Sequence, residues 1–328
     1  MNGTVAVAFT GGTISMEYDP QRGGNVPALN GAAILARTGG LESIAPVRAI
    51  DYGLVPASHF RFPALLEVAG LVRDALADPR VAGAVVVQGT DTIEETSFFY
   101  DLLLDGTKPV VVTGAMRAAS DAGWDGPANL RDAVRAAASD ELRDAGVVVL
   151  LGGVIHAADD VTKTHATSPT TFQSLNFGPL GRVEGGRLSI VRRRAARRHV
   201  ATTRAAEPVP LITAVVSMDP GLVAAACHLG AAGIVIEGTG SGNTAPELLE
   251  ECRAAMAAGI PVVLTTRCPS GAAGTAYAFP GAGATWARAG ALLSGHLGGP
   301  KARVALALGL GAGLDHAGLS RLLEDPRG

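Results

Sequence analysis

The chain has 328 residues, 48% of them hydrophobic and 17% charged, with a formal net charge of −3. This length sets a prior of about two domains with large cores, and the composition excludes a disordered chain. The small net charge gives no global field toward nucleic acid or an anionic membrane, and no apolar run approaches the ~20 residues of a membrane span.

Strand-like and helix-like runs alternate from the start. A strand over 5–9 leads into Thr10-Gly11-Gly12-Thr13 and a Gly-rich segment, 15–27. A short helix is expected over 27–36 and a strand over 47–51. Leu65, Leu66, Ala69 and Val72 recur at helical spacing within 63–77. A strand over 83–87 ends in Gln88-Gly89-Thr90-Asp91-Thr92. Helix over 94–104, strand over 109–113, helix over 127–138 and strand over 146–151 continue the rhythm. Short β runs separated by helices predict βαβ crossovers and a mainly parallel sheet. Beyond Gly152 the pattern loosens: 154–164 alternates weakly, 170–181 is irregular, and 185–190 suggests a β-ribbon. The basic run Arg192–Arg204 is read as a solvated face or linker rather than a nucleic-acid patch. A second α/β pattern follows, with strands over 211–216, 234–237 and 261–265, and helices over 221–229, 244–258 and 302–310. Asp315 is a candidate cap for a last helix reaching 324. The fold class is thus α/β in two domains: a larger N-terminal domain over 1–192, a linker over 193–210 and a smaller C-terminal domain over 211–328.

The N-terminus, MNGTVAVAF, has no basic n-region and is read as carrying no signal peptide. Cys227, Cys252 and Cys268 contain no C-x-x-C pair, which predicts reduced thiols in a cytoplasmic protein. The seven histidines show no metal-ligand spacing, and no P-loop or G-x-S-x-G elbow is present. Gly238-Thr239-Gly240-Ser241-Gly242-Asn243 lacks the last glycine of a dinucleotide loop. No metal or cofactor is therefore expected.

Two strand ends carry glycine with hydroxyls: Thr10-Gly11-Gly12-Thr13 and Gly89-Thr90-Asp91-Thr92. In a parallel sheet both face one edge, where ligands gather. Taken alone, Asp91 reads equally well as the N-cap of the next helix, with Glu94 and Glu95 complementing its dipole. Lys163, in Asp159-Asp160-Val161-Thr162-Lys163-Thr164, is by itself most simply a surface lysine paired with those aspartates. Its functional reading needs a lysine buried beside hydroxyls, where it acts as a base for a threonine nucleophile.

Together, FTGGTI (9–14), QGTDTIEET (88–96), VTGAMR (112–117), VTKTHATS (161–168), FQSLNFG (172–178), the glycine-rich turn at 238–243 and KARVALA (301–307) resemble the bacterial-type L-asparaginases of the asparaginase/glutaminase family. The resemblance runs from residue 4 to about 310. It implies hydrolysis of asparagine to aspartate and ammonia without cofactor, in a homotetramer built as a dimer of dimers. Thr13 matches the nucleophile, and Thr90, Asp91 and Lys163 the second Thr-Lys-Asp set. Direct attack by water that Thr13 positions is the other route. Backbone N–H groups of the two turns would stabilise the oxyanion, and Gly12 and Gly89 of those turns would meet the substrate. Ser58 matches a holder of the substrate α-carboxylate, and Asp91 also meets the α-ammonium. Asn243 matches a residue that reaches into the neighbouring subunit's site, and the segment 15–27 matches a mobile lid.

Three departures accompany the match. His59 stands where the family often has Gln, which adds a titratable group beside the substrate. The late lid reads Gly24-Asn25-Val26-Pro27 without a tyrosine, leaving Tyr18 as the lid's only one. The segment 271–283 contains no carboxylate, and Tyr277 is its nearest polar candidate. The alternatives are a broader amidase for glutamine or D-asparagine, or a non-catalytic amino-acid binder. A tRNA-dependent amidotransferase subunit is disfavoured, because no additional N-terminal domain precedes the first strand.

Overall fold

The computed structural model describes residues 3–324, which form two units, 3–197 and 198–324. Each is built on its own sheet.

In the first unit β1 (Thr4–Phe9) is followed by a hairpin of β2 (Met16–Asp19) and β3 (Gly24–Pro27), then α1 (Gly31–Thr38) and β4 (Val47–Asp51). Next come α2 (Phe62–Ala77), β5 (Val81–Val87), α3 (Ile93–Leu103), β6 (Val110–Thr113), α4 (Gly126–Ala137) and β7 (Val147–Leu151). Short strands close the unit: β8 (Val154–Ala157), β9 (Val161–Lys163), β10 (Phe172–Ser174), β11 (Gly181–Glu184) and β12 (Arg187–Ile190). The main sheet has the order β12-β11-β8-β7-β6-β5-β1-β4. From β4 to β7 neighbouring strands are parallel, and β8, β11 and β12 extend the sheet antiparallel. Helices α1 and α4 cover one face, with Ile34, Leu130 and Val134 packed on Val7, Val85 and Val111; α2 and α3 cover the other. Burial on both faces explains why β5 reads as a continuous apolar run rather than an alternating one.

The connection from β1 leads to β4 on one side, whereas that from β5 leads to β6 on the other. The switch in direction falls between β1 and β5. A crevice opens at such a point beyond the carboxyl ends of the strands. Phe9 of β1 and Val87 of β5 are register partners, so both Gly-hydroxyl turns begin there at the same height.

The structure revises several sequence expectations. The segment 15–27 is a folded hairpin in which Tyr18 pairs with Asn25. Its tip is closed by the Asp19 carboxylate, which accepts from the N–H groups of Gln21 and Arg22. The first helix starts at Gly31 rather than 27, because Pro27 belongs to β3 and Asn30 Oδ1 caps the helix through the Ala33 N–H at 2.9 Å. The ribbon expected over 185–190 is a wider hairpin, 181–190, turning at Gly185 and Gly186 with φ of 54° and 77°, as a two-residue primed turn requires. The basic run is only partly a solvated face: Arg193, His199 and Arg204 are exposed, but other members are not. The Arg194 side chain is 4% exposed, and Arg198 is buried with its guanidinium on the carbonyls of Leu322 and Glu324.

The second unit has the parallel sheet β13 (Leu211–Thr213), β14 (Ile234–Gly238), β15 (Val262–Thr266) and β16 (Leu292–Leu293), in that order. Helices α5 (Gly221–His228), α6 (Pro246–Ala257), α7 (Gly283–Ala289), α8 (Gly299–Gly311) and α9 (His316–Leu323) complete it. Val223 and Leu249 pack on Ile234 and Leu264, around the buried Trp286. The strand expected over 211–216 stops at Thr213, and Val215 and Val216 are exposed. Asp315 caps α9 as expected, accepting from the Gly318 N–H at 2.8 Å. Strand β16 and helix α7 had no separate expectation.

Buried His156 in β8 makes stability pH-dependent. Its Nδ1 lies 2.9 Å from Ser174 Oγ, and burial pushes the imidazole down to about 4. The unfolded chain takes up this proton near pH 6.5 and the folded one only near 4, so stability is lost as pH falls across that window. Between pH 7.5 and 5 this residue should cost about 2 kcal/mol. Urea titrations at both pH values check this: the His156→Gln variant, which cannot charge, should lose less stability on acidification by about that amount.

Candidate active site

Three turns converge beyond the strand ends. The first is 10–13. Thr10 closes it onto β5, its N–H and Oγ1 donating to the Val87 carbonyl at 2.9 and 3.1 Å. Thr10 is therefore a structural residue of the strand end. Gly12 then takes φ 92° and ψ −175°, a region open essentially to glycine alone. A Cβ there would lie 2.2 Å from the Gly89 nitrogen, so the first and second turns touch backbone to backbone. Thr13 and Thr90 are the next residues along each turn. Thr13 is partly exposed and opens a 3-10 turn that Ser15 fastens through Oγ to the Gly12 carbonyl at 2.7 Å.

The second turn, Thr90–Thr92, is braced from below. Buried Gln88 donates through Nε2 to Thr96 Oγ1 at 2.6 Å, and a Cβ on Gly89 would meet that of Ala57 at 2.8 Å. Ala57 belongs to the third turn, Ala57–His59, which Thr92 Oγ1 joins at the Ala57 carbonyl at 3.3 Å. This turn carries exposed Ser58 and His59. Gly12, Thr13, Ser58, His59, Gly89, Thr90 and Asp91 thus come from one cluster of turns, although the ends of that series lie 79 positions apart in sequence.

Lys163 joins the cluster from β9. Its Nζ donates to Thr90 Oγ1 at 3.0 Å and to Asp91 Oδ1 at 2.8 Å. The lysine side chain is 13% exposed, and that of Asp91 72%. Two simpler readings are thereby corrected. Asp91 is not the cap of α3: Thr92 holds that position without a side-chain cap bond. Lys163 pairs with Asp91, not with the aspartates beside it. Of these, Asp159 meets Arg194 at 3.2 Å, and Asp160 accepts from the N–H groups of Asn176 and Phe177. A lysine donating to Thr90 Oγ1 leaves the threonine's own hydrogen free to point out of the pair. The arrangement is therefore a hydroxyl, an amine and a carboxylate in a hydrogen-bonded row, with the carboxylate open to solvent.

Sequence reasoning weighed Glu94 only as a dipole partner. Its Oε2 instead accepts the Lys163 N–H at 2.9 Å and anchors β9 beside the second turn. The two residues are 69 positions apart, so no local pattern could have signalled it. Tyr18 lies in β2, 57% exposed, its N–H on Ser120 Oγ at 3.0 Å. Asn243 belongs to the second unit. It closes the turn after β14 by a bridge to Thr239, and its Oδ1 and Ser241 Oγ are buried without a hydrogen-bond partner. Tyr277, also in that unit, is exposed with its ring tilted against Phe279.

Fold and site together define a two-domain α/β enzyme with a cluster of hydroxyl-bearing turns at a sheet switch point. A family model described as asparaginase, N-terminal, matches residues 4–196, and one for the glutaminase/asparaginase C-terminal domain matches residues 208–323. The chain belongs to the asparaginase family. It is 32% identical to an L-asparaginase of Bacillus licheniformis over 308 residues, 94% of this chain and 95% of that one. A probable L-asparaginase of Deinococcus radiodurans is 34% identical over 322 residues, 97% and 96% of the two chains. L-asparaginase 2 of Escherichia coli is 35% identical over 235 residues, 70% and 66%. No helix among the described residues is long and apolar enough to cross a membrane.

Proposed function

We propose that this enzyme hydrolyses the side-chain amide of free L-asparagine to L-aspartate and ammonia, with Thr13 as nucleophile. The observation that carries the reading is the Thr90–Lys163–Asp91 row at the mouth of the β1/β5 switch point. Thr13 Oγ attacks the amide carbon, and the N–H groups of Gly12 and Gly89 hold the oxyanion. The hydroxyl proton passes to the leaving nitrogen, the C–N bond breaks and ammonia departs. Water, deprotonated through Thr90 and Lys163, then cleaves the acyl ester and restores Thr13. Ser58 and His59 receive the substrate α-carboxylate, and exposed Asp91 its α-ammonium.

In this reading residues 1–192 form the catalytic domain, 193–210 a connecting segment and 211–328 a second domain. Asn243, in the turn after β14, completes the site of a neighbouring subunit in a homotetramer. Tyr18, on the hairpin after Thr13, is the lid residue that supplies a hydroxyl. Three free cysteines favour a reducing cytoplasm.

A second reading, a broader amidase that also takes glutamine, is favoured by His59 beside Ser58 and by the match to a glutaminase/asparaginase C-terminal domain. Coupled ammonia release from asparagine and glutamine decides between them. A kcat/KM at least about tenfold higher for asparagine supports the first reading. Equal or reversed values support the second. Thermal stabilisation by asparagine without ammonia release would make the protein a binder and overturn both.

A further inference from the structure

The strand that carries Lys163 lies outside the main sheet. Strand β9 is three residues long and pairs with β10 in a separate two-stranded ribbon. Its ladder hydrogen bonds thus run to β10 rather than to the main sheet. Side-chain links tie it to both ends of α3, the helix that follows the Thr90–Asp91 turn. At its start Glu94 Oε2 takes the Lys163 N–H at 2.9 Å. Near its end Arg194 joins Asp101 of α3 at 2.8 Å to Asp159, two residues before β9, at 3.2 Å. The Arg194, Asp101 and Asp159 side chains are 4%, 0% and 2% exposed. Asp101 also accepts the Val147 N–H of β7 at 2.9 Å, and Arg197 Nε approaches it at 3.5 Å.

Two buried carboxylates repel each other and resist desolvation unless a cation stands between them. A planar guanidinium presents donors along several edges and can hold both at a defined spacing, which a point-charge ammonium does less well. The two arginines of this cluster belong to the basic run, which the active site does not otherwise use. We propose that Arg194 is a positioning residue: by clamping Asp159 to Asp101 it holds β9 against α3 and so keeps Lys163 Nζ between Thr90 and Asp91. This rests on the catalytic role proposed for Lys163.

The mild test is Asp159→Asn, which keeps the shape, weakens the β9 side of the clamp and leaves Arg194 on Asp101. Arg194→Lys, which keeps the charge, serves as a second variant should the first not fold. Each is assayed at a temperature where circular dichroism shows it folded. The expected result is a kcat for asparagine at least about tenfold lower, KM within about threefold of wild type, and a displaced pH–kcat profile, because the reacting groups and not substrate capture are disturbed. A lower Tm with kcat, KM and pH profile unchanged in both variants overturns the inference and leaves the cluster as a stability element. Lys163→Met is measured alongside. Activity retained there removes the catalytic reading itself. Activity lost there, but normal in the two clamp variants, removes only the positioning role.

Discussion

Lys163→Met should lower ammonia release from asparagine by about 10³-fold, within the range that a positioned acid–base group contributes. The side chain stays long and apolar, so the stem still fills its place while the amine is lost from between Thr90 and Asp91. Stability should hardly change. The ion pair ends on a 72% exposed carboxylate, and a pair open to solvent on one side contributes at most about 1 kcal/mol. Thr13→Ala should abolish turnover to a similar or greater extent, while asparagine still binds through Ser58 and Asp91. Steady-state kinetics and thermal melts of the two variants check both halves of the expectation. Full activity in either variant sinks the proposed mechanism.

Gly12→Ala should have the largest effect on the fold of the site. An alanine there would need φ near 92° with extended ψ, and its Cβ would be driven to 2.2 Å from the Gly89 backbone nitrogen. Neither neighbour is the tip of a flexible side chain, so the two turns must separate. The strained backbone and the overpacking each cost about 1–3 kcal/mol. The same separation takes Thr13 away from Thr90, and activity should fall by at least about 10²-fold. Gly24→Ala in the hairpin is the matched control, since a Cβ there meets nothing within 4 Å. Urea titrations and ammonia assays of the pair give the comparison. Equal stabilities would show that the turns tolerate separation and that glycine is not required at position 12.

The main elements of the larger sheet were legible because parallel strands buried on both faces leave continuous apolar runs, and the helices between them leave a 3.6-residue period. The expectations for β1, β4, β5, β6 and β7 agree closely with the strands observed. Legibility failed where side chains rather than periodicity decide. The β2–β3 hairpin read as a Gly-rich segment, since an antiparallel ribbon away from the main sheet leaves no apolar run. The arginines of the basic run read as solvated because sequence counts charges without showing the carboxylates that wait for them: Asp101 and Asp159 lie 93 and 35 residues before Arg194. Thr90 and Asp91 were legible as a hydroxyl and a carboxylate after a strand. Their lysine was legible only through the family resemblance, because the chain between Asp91 and Lys163 forms three more strands of the sheet, β6, β7 and β8, before it returns.

Sequence by itself determined the α/β class, the two Gly-hydroxyl turns at strand ends and the family to which the chain belongs, because local backbone preference and short motifs are written in neighbouring residues. Only the tertiary structure decided that β1 and β5 are neighbours, that Gly12 and Gly89 touch, and that Lys163 rather than a helix terminus claims Asp91. Those pairings join residues tens of positions apart. Strand order and the burial of charged groups bring them together, and neither is a property of any local stretch of chain.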